Sequence, residues 1–172
     1  MNRLGSMERA DFVARFGGVF EHSPWIAERA FDQGLPADGD HAAALHGALC
    51  SVFRAASDSE RLGVLRAHPD LAGRLALAGG VSDDSTREQA SAGLDSLTQK
   101  ELARFTKLNG AYQQKFGFPF IMAVTGRSKG EILAAFEIRI ENDSETEFRT
   151  ACGEVEQIAL LRLEDLVPEQ KQ

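Results

Sequence analysis

Leu65-Arg66-Ala67-His68-Pro69-Asp70-Leu71-Ala72-Gly73-Arg74 sets a titratable imidazole at a forced break in the chain. Pro69 has no N–H and biases His68 away from helical backbone angles, so the helix suggested by Glu60 to Leu65 should stop at or near His68. A side chain at such an end can cap its own helix, as an imidazolium at the negative end of the dipole, or can face a cleft and do proton chemistry. Further on comes Ser85-Thr86-Arg87-Glu88-Gln89. Glu88 also has two readings: the far end of a capping box begun by Ser85, or a carboxylate offered to a substrate. An imidazole held beside a carboxylate stays protonated to higher pH, which suits a general acid.

Composition narrows what that chemistry serves. A chain of 172 residues fits one domain with a real core and no need of disulfide or metal staples. The net charge of −7 argues against nucleic acid, whose phosphates want a basic face. No apolar run is long enough to span a membrane and no signal-peptide pattern opens the chain, so a cytoplasmic protein is expected. Cys50 and Cys152 stand far apart among apolar helical residues and read as buried free thiols. His22, His41, His46 and His68 form no zinc-spaced cluster, so neither metal nor cofactor is expected.

The elements that must position these groups read as helices. Residues 1–5 look like a leader, and Ser6 caps a helix carrying Phe12, Val13 and Phe16 that Gly17-Gly18 ends. Ser23-Pro24-Trp25 starts a second helix, closed by Gly34, with Trp25 and Phe31 assigned to the core. Asp40 opens a third, where Leu45, Leu49, Val52, Phe53 and Ala56 recur at helical spacing. Capping boxes are expected at Ser57 with Glu60, Ser85 with Glu88, Thr98 with Glu101, Ser128 with Glu131 and Ser144 with Glu147. Apolar stripes follow along Leu102 to Phe116, Ile132 to Ile140 and Phe148 to Leu166, before Pro168 and a short tail. Phe118 to Thr125 alone reads as a strand, and one strand cannot make a sheet. It should cross the helices as a buried extended segment whose amides a ligand could satisfy, or serve as a plain loop. The expected fold is an all-α, single-domain bundle of roughly eight helices.

Three stretches in order, His68-Pro69-Asp70-Leu71-Ala72-Gly73, Glu88-Gln89 with Ala92-Gly93-Leu94, and Phe116-Gly117-Phe118-Pro119-Phe120-Ile121, resemble the signature of the OHCU decarboxylases. The likeness extends to Glu21-His22-Ser23-Pro24-Trp25 and to Glu154-Val155 through Arg162-Leu163, and so runs through nearly the whole chain. That family converts 2-oxo-4-hydroxy-4-carboxy-5-ureidoimidazoline (OHCU) to (S)-allantoin in urate breakdown. The resemblance implies that His68 is the catalytic histidine and Glu88 its carboxylate partner. It implies substrate contacts from Pro69, Ser85, Gln89, Phe120, Ile121, Met122, Ala123, Val124 and Arg162. Arg139 is a weaker candidate without a clear match. The resemblance also implies a ureide substrate and a homodimer.

Such a reaction suits side chains alone, because the C=N of the imidazoline ring accepts the electron pair that departing CO₂ leaves behind. In this expectation His68 and Glu88 grip the substrate hydroxyl, with protonated His68 as acid. Ser85, Gln89, Arg162 and amides near Ile121 fix the ureido and ring groups, and Pro69, Phe120 and Ile121 form an apolar wall. Two other classes compete: a non-catalytic helical module that binds a ligand or partner beside 116–124, and a ureide hydrolase in which His68 activates water. The C-terminus, Glu169-Gln170-Lys171-Gln172, lacks a peroxisomal tripeptide.

Overall fold

A computed structural model describes residues 4–37, 41–72 and 82–168. Asp40, Gly73, Arg74 and the leader and tail residues at 1–3 and 169–172 lie outside the described residues. Those described are all-α, with a short 3-10 turn at Leu4–Ser6 followed by eight α-helices. They are α1 (Arg9–Phe16), α2 (Trp25–Gln33), α3 (Ala42–Ala55), α4 (Asp58–Ala67), α5 (Asp83–Ser91), α6 (Gln99–Phe116), α7 (Lys129–Arg139) and α8 (Ser144–Leu166). No strand occurs among the described residues, and no helix there is long and apolar enough to cross a membrane.

The chain groups into two compact units, Met1–Ala67 with Glu156–Gln172, and His68–Val155. In the first unit the apolar stripe of α3 is buried as its spacing requires, with Leu45, Leu49, Val52 and Phe53 all inaccessible. Phe12 packs against Phe16 and Phe31, and Phe20 against Phe53, with ring centroids 5.0–5.4 Å apart. Arg54 grips Glu156 through two hydrogen bonds of 2.7 and 2.8 Å, and the nearby carbonyl of Glu156 accepts from His46 Nε2 at 2.8 Å. The Cys50 thiol, buried beside His46, is pushed up to about 12 by loss of solvent. It is therefore an inert neutral group.

The chain's punctuation explains most helix ends. Ser57 and Glu60 cap α4 reciprocally, as do Thr98 and Glu101 for α6. The Ser128 hydroxyl accepts the Glu131 amide at the start of α7. α4 stops at Ala67, immediately before His68-Pro69. Gly117 closes α6 with φ of 77°, a left-handed conformation glycine adopts without strain, and turns the chain into the buried segment Phe118–Val124.

Several expectations are corrected. Leu4 is buried, and α1 begins at Arg9 with Glu8, not Ser6, at its N-cap position. The Ser23 hydroxyl donates to the Glu21 carbonyl instead of accepting from helix amides, and α2 begins at Trp25. Trp25 and Phe31 are half-buried, Trp25 lying under the Arg29 guanidinium, while Ile26, Ala27 and Ala30 fill the interior. Two capping boxes are absent because a better oxygen lies one or three residues earlier. Asp143 receives the Thr146 amide ahead of α8, and Ser82 receives the Ser85 amide ahead of α5. Both displacements release a glutamate from capping duty, and both matter to the site.

Candidate active site

With Ser82 as its cap, α5 carries Ser85, Glu88, Gln89 and the following Ala92 at the i, i+3, i+4, i+7 spacing that shares one helix face. Ser85, Gln89 and Ala92 are buried and Glu88 is half-buried, while Asp83, Thr86, Arg87 and Ala90 are exposed. A helix that turns its polar side chains inward is informative, because burying them without partners is costly. Glu88 thus belongs to this inner face and not to a capping box.

That face is tied to the histidine loop. The Gln89 Oε1 accepts the Ala72 amide at 2.9 Å, four residues beyond His68. Ala72 has φ of 54°, a left-handed conformation that costs a non-glycine residue about 1–2 kcal/mol, and the buried bond opposes that strain. The Leu71 carbonyl accepts from Asn109 Nδ2 at 2.8 Å, so α6 holds the same turn from another side. His68 is buried and Pro69 half-buried. With its oxygen committed to Ala72, Gln89 keeps a buried Nε2 that has no hydrogen-bond partner among the described residues. A donor left in this state is a natural place for a ligand acceptor. Asp70 is half-buried, its Oδ1 is without a hydrogen bond, and burial pushes its carboxyl upward from the usual range.

The extended segment is docked on α6 as well. Tyr112, one turn beyond Asn109, meets Phe118 and Phe120 edge-on at 5.9 and 5.5 Å, and Phe120 stacks on Phe136 of α7 at 3.9 Å. Phe120, Ile121, Met122, Ala123 and Val124 are all buried. Ala123 donates its amide to Glu154 Oε2 at 3.0 Å, and the Ile121 carbonyl accepts from Arg139 Nη1 at 2.6 Å. One face of α6 therefore organises both the turn after His68 and the aromatic crossing.

Arg162 belongs to the first unit, where it is buried and donates to Glu21 Oε2 at 2.8 Å and to the Gly18 carbonyl at 3.2 Å. Arg139 is a structural anchor of the segment, paired with the fully buried Glu147 and stacked over the Phe120 ring at 4.4 Å. Glu147, Tyr112, Asn109, Glu154 and Glu21 hold the site's elements in place, a role that sequence reading gave to none of them. Glu147 was hidden by its resemblance to a capping-box glutamate. Among the described residues no group of three or more His, Cys, Asp or Glu is arranged to hold a metal. The histidine turn and α5 offer an imidazole, a carboxylate, a hydroxyl and an amide, and α6 holds both that turn and the aromatic segment.

Comparison with known proteins accords with that set. The family model for OHCU decarboxylase matches residues 5–164. A protein of Haloferax volcanii named 2-oxo-4-hydroxy-4-carboxy-5-ureidoimidazoline decarboxylase is 42% identical over 163 residues, covering 95% of this chain and 93% of its own. The mouse protein of the same name is 37% identical, covering 97% and 92%. Among solved structures, an (S)-allantoin synthase superposes with a TM-score of 0.76 at 33% identity, over 94% of this chain and 52% of that one. The match runs through the histidine loop, α5, the buried segment and α8 alike, and the chain belongs to the OHCU decarboxylase family.

Proposed function

We propose that this chain decarboxylates OHCU to (S)-allantoin in urate degradation, as a single catalytic domain without a cofactor. The observation that carries the reading is the inward polar face of α5, Ser85, Glu88 and Gln89, hydrogen-bonded through Gln89 to the turn that follows His68, in a chain of this family.

The reaction breaks the bond between the ring carbon and its carboxylate. The electron pair moves into the ring, and the C=N nitrogen takes up the charge and then a proton. The resulting enol loses its hydroxyl proton and gains a proton on the adjoining carbon, which becomes the stereocentre of the product. Protonated His68 and ionised Glu88 bind the substrate hydroxyl, so that one group donates and the other accepts as the enol becomes a carbonyl. Gln89 donates through Nε2, and Ser85 and Arg162 bind polar groups of the ureide. Pro69, Phe120 and Ile121 surround the scissile carboxylate with apolar surface, which favours its departure as neutral CO₂. Backbone groups of Met122, Ala123 and Val124 meet the ring.

Replacing His68 by Asn or Glu88 by Gln should lower the rate of (S)-allantoin formation from freshly generated OHCU by about 10²- to 10⁴-fold, the range of a lost acid or base. An unchanged rate in either variant refutes the assignment. Removing the Arg162 guanidinium should chiefly raise KM. Release of urea or ammonia without CO₂ would make the chain a hydrolase, and binding without turnover a ligand-binding module. The same reading places it in the cytoplasm as a homodimer, for which light scattering should give twice the 18.7 kDa of one chain.

A further inference from the structure

The buried segment 118–124 is held by buried side chains to which the mechanism above gives no task. Arg139 donates from Nη1 to the Ile121 carbonyl at 2.6 Å and from Nε to Glu147 Oε1 at 2.7 Å, with its plane over the Phe120 ring. Glu147 is inaccessible to solvent and also accepts the Tyr112 hydroxyl at 2.6 Å and Asn142 Nδ2 at 3.1 Å. Burial, and then the carboxylate of Glu147, push the Tyr112 phenol far above its usual range, so its proton stays in that bond. A buried ion pair with this many partners contributes little net stability compared with apolar packing, so its value lies in the geometry it imposes.

That geometry acts on one peptide. No peptide bond among the described residues is cis, and across a trans peptide the C=O and N–H point in opposite directions. Arg139 holds the Ile121 carbonyl, so the Met122 N–H points away from the guanidinium. Glu154 holds the Ala123 N–H, so the Met122 carbonyl points away from that carboxylate. Neither polar group of Met122 has a hydrogen-bond partner among the described residues. A donor and an acceptor from adjoining peptides are thus left for something other than the protein backbone, and a cyclic ureide presents the complementary pair, a C=O beside an N–H. The cation on the Ile121 carbonyl also polarises the peptide and strengthens Met122 as a donor.

We propose that Arg139, oriented by Glu147 and Tyr112, is a positioning residue that aims the Met122 peptide at the ureide ring and thereby sets substrate affinity. The proposal rests on the decarboxylase reading, and the test separates the two. Arg139→Lys keeps the charge but loses the planar fork that reaches the carbonyl and the carboxylate together. It should raise the KM for OHCU and the calorimetric Kd for (S)-allantoin together by about tenfold, the loss of one well-placed hydrogen bond. Tyr112→Phe keeps the ring packing and removes one bond to Glu147. It should shift both constants about threefold and move the Met122 ¹H–¹⁵N resonance of the allantoin complex. If Arg139→Lys does not fold, Tyr112→Phe decides. Unaltered KM, Kd and Met122 resonance in a folded variant overturn the proposal, and so does a fall in kcat alone that tracks the folded fraction. Wild-type protein that releases no CO₂ from OHCU would instead remove the decarboxylase reading itself.

Discussion

Gln89→Met tests whether the loop bearing His68 is held in place by α5. Methionine preserves the length and apolar stem of glutamine but withdraws the oxygen that accepts the Ala72 amide at 2.9 Å. Ala72 is 2% exposed, so its N–H is left buried and unpaired at a cost of about 1–3 kcal/mol. The same bond opposes the strain of the left-handed Ala72 backbone, about 1–2 kcal/mol, so its loss frees the turn to relax. In a chain of this size each kcal/mol moves Tm by about 2–4 °C, which gives a drop of about 4–8 °C near the middle of those ranges. If the relaxed loop carries His68 out of register, kcat/KM for OHCU falls about 10- to 100-fold, since about 1.4 kcal/mol is tenfold. Ala72→Gly removes the strain, and in that background the Gln89→Met penalty should shrink, with a coupling of about 0.5–1.5 kcal/mol across the double-mutant cycle. Melting curves by circular dichroism and initial rates with freshly generated OHCU give every number needed. A Gln89→Met protein that melts and turns over like the wild type refutes the claim that this bond holds the loop.

Two further outcomes follow from other parts of the molecule. Burial raises the Asp70 carboxyl, so its protonated form is favoured in the folded state. That contribution is complete below the unfolded pKa and is lost as pH rises through the folded one, so the Tm advantage of Asp70→Asn over wild type should widen as pH rises above the ordinary carboxylate range. A gap that stays constant as pH rises contradicts the assignment. Thr98→Ala dismantles the reciprocal cap of α6 and should cost about 1 kcal/mol, or about 2–4 °C in Tm, with KM unchanged in a steady-state assay.

Local rules accounted for much of the architecture. The stop of α4 before His68-Pro69 needs only the missing N–H of proline, and two capping boxes and a one-sided cap at Ser128 sit where a hydroxyl precedes a glutamate by three residues. A buried crossing at 118–125 was legible because an apolar run between two helices had no second strand to pair with, and it ends one residue sooner, since Thr125 is exposed in the turn that follows. The same local rules misassigned Glu88 and Glu147, for a physical reason. A capping box is a contest among nearby oxygens for the first free amides. Ser82 and Asp143 win it, and their position three residues and one residue earlier is not distinguishable from the spacing pattern alone. Once displaced from that duty, Glu147 finds Arg139 and Tyr112, which lie 8 and 35 residues away in the chain.

From the order of its residues alone, this chain determined that it would be helical, where most helices would begin and end, and which family of decarboxylases its motifs resemble. Those properties are set by interactions within a few residues and by motifs kept in order. The tertiary structure decided that α5 turns Ser85, Glu88 and Gln89 inward, that Gln89 holds the turn beyond His68, and that Arg139 braces the buried segment through the Ile121 carbonyl. Such choices rest on which distant polar groups can satisfy one another once water is excluded, and no local pattern contains that information.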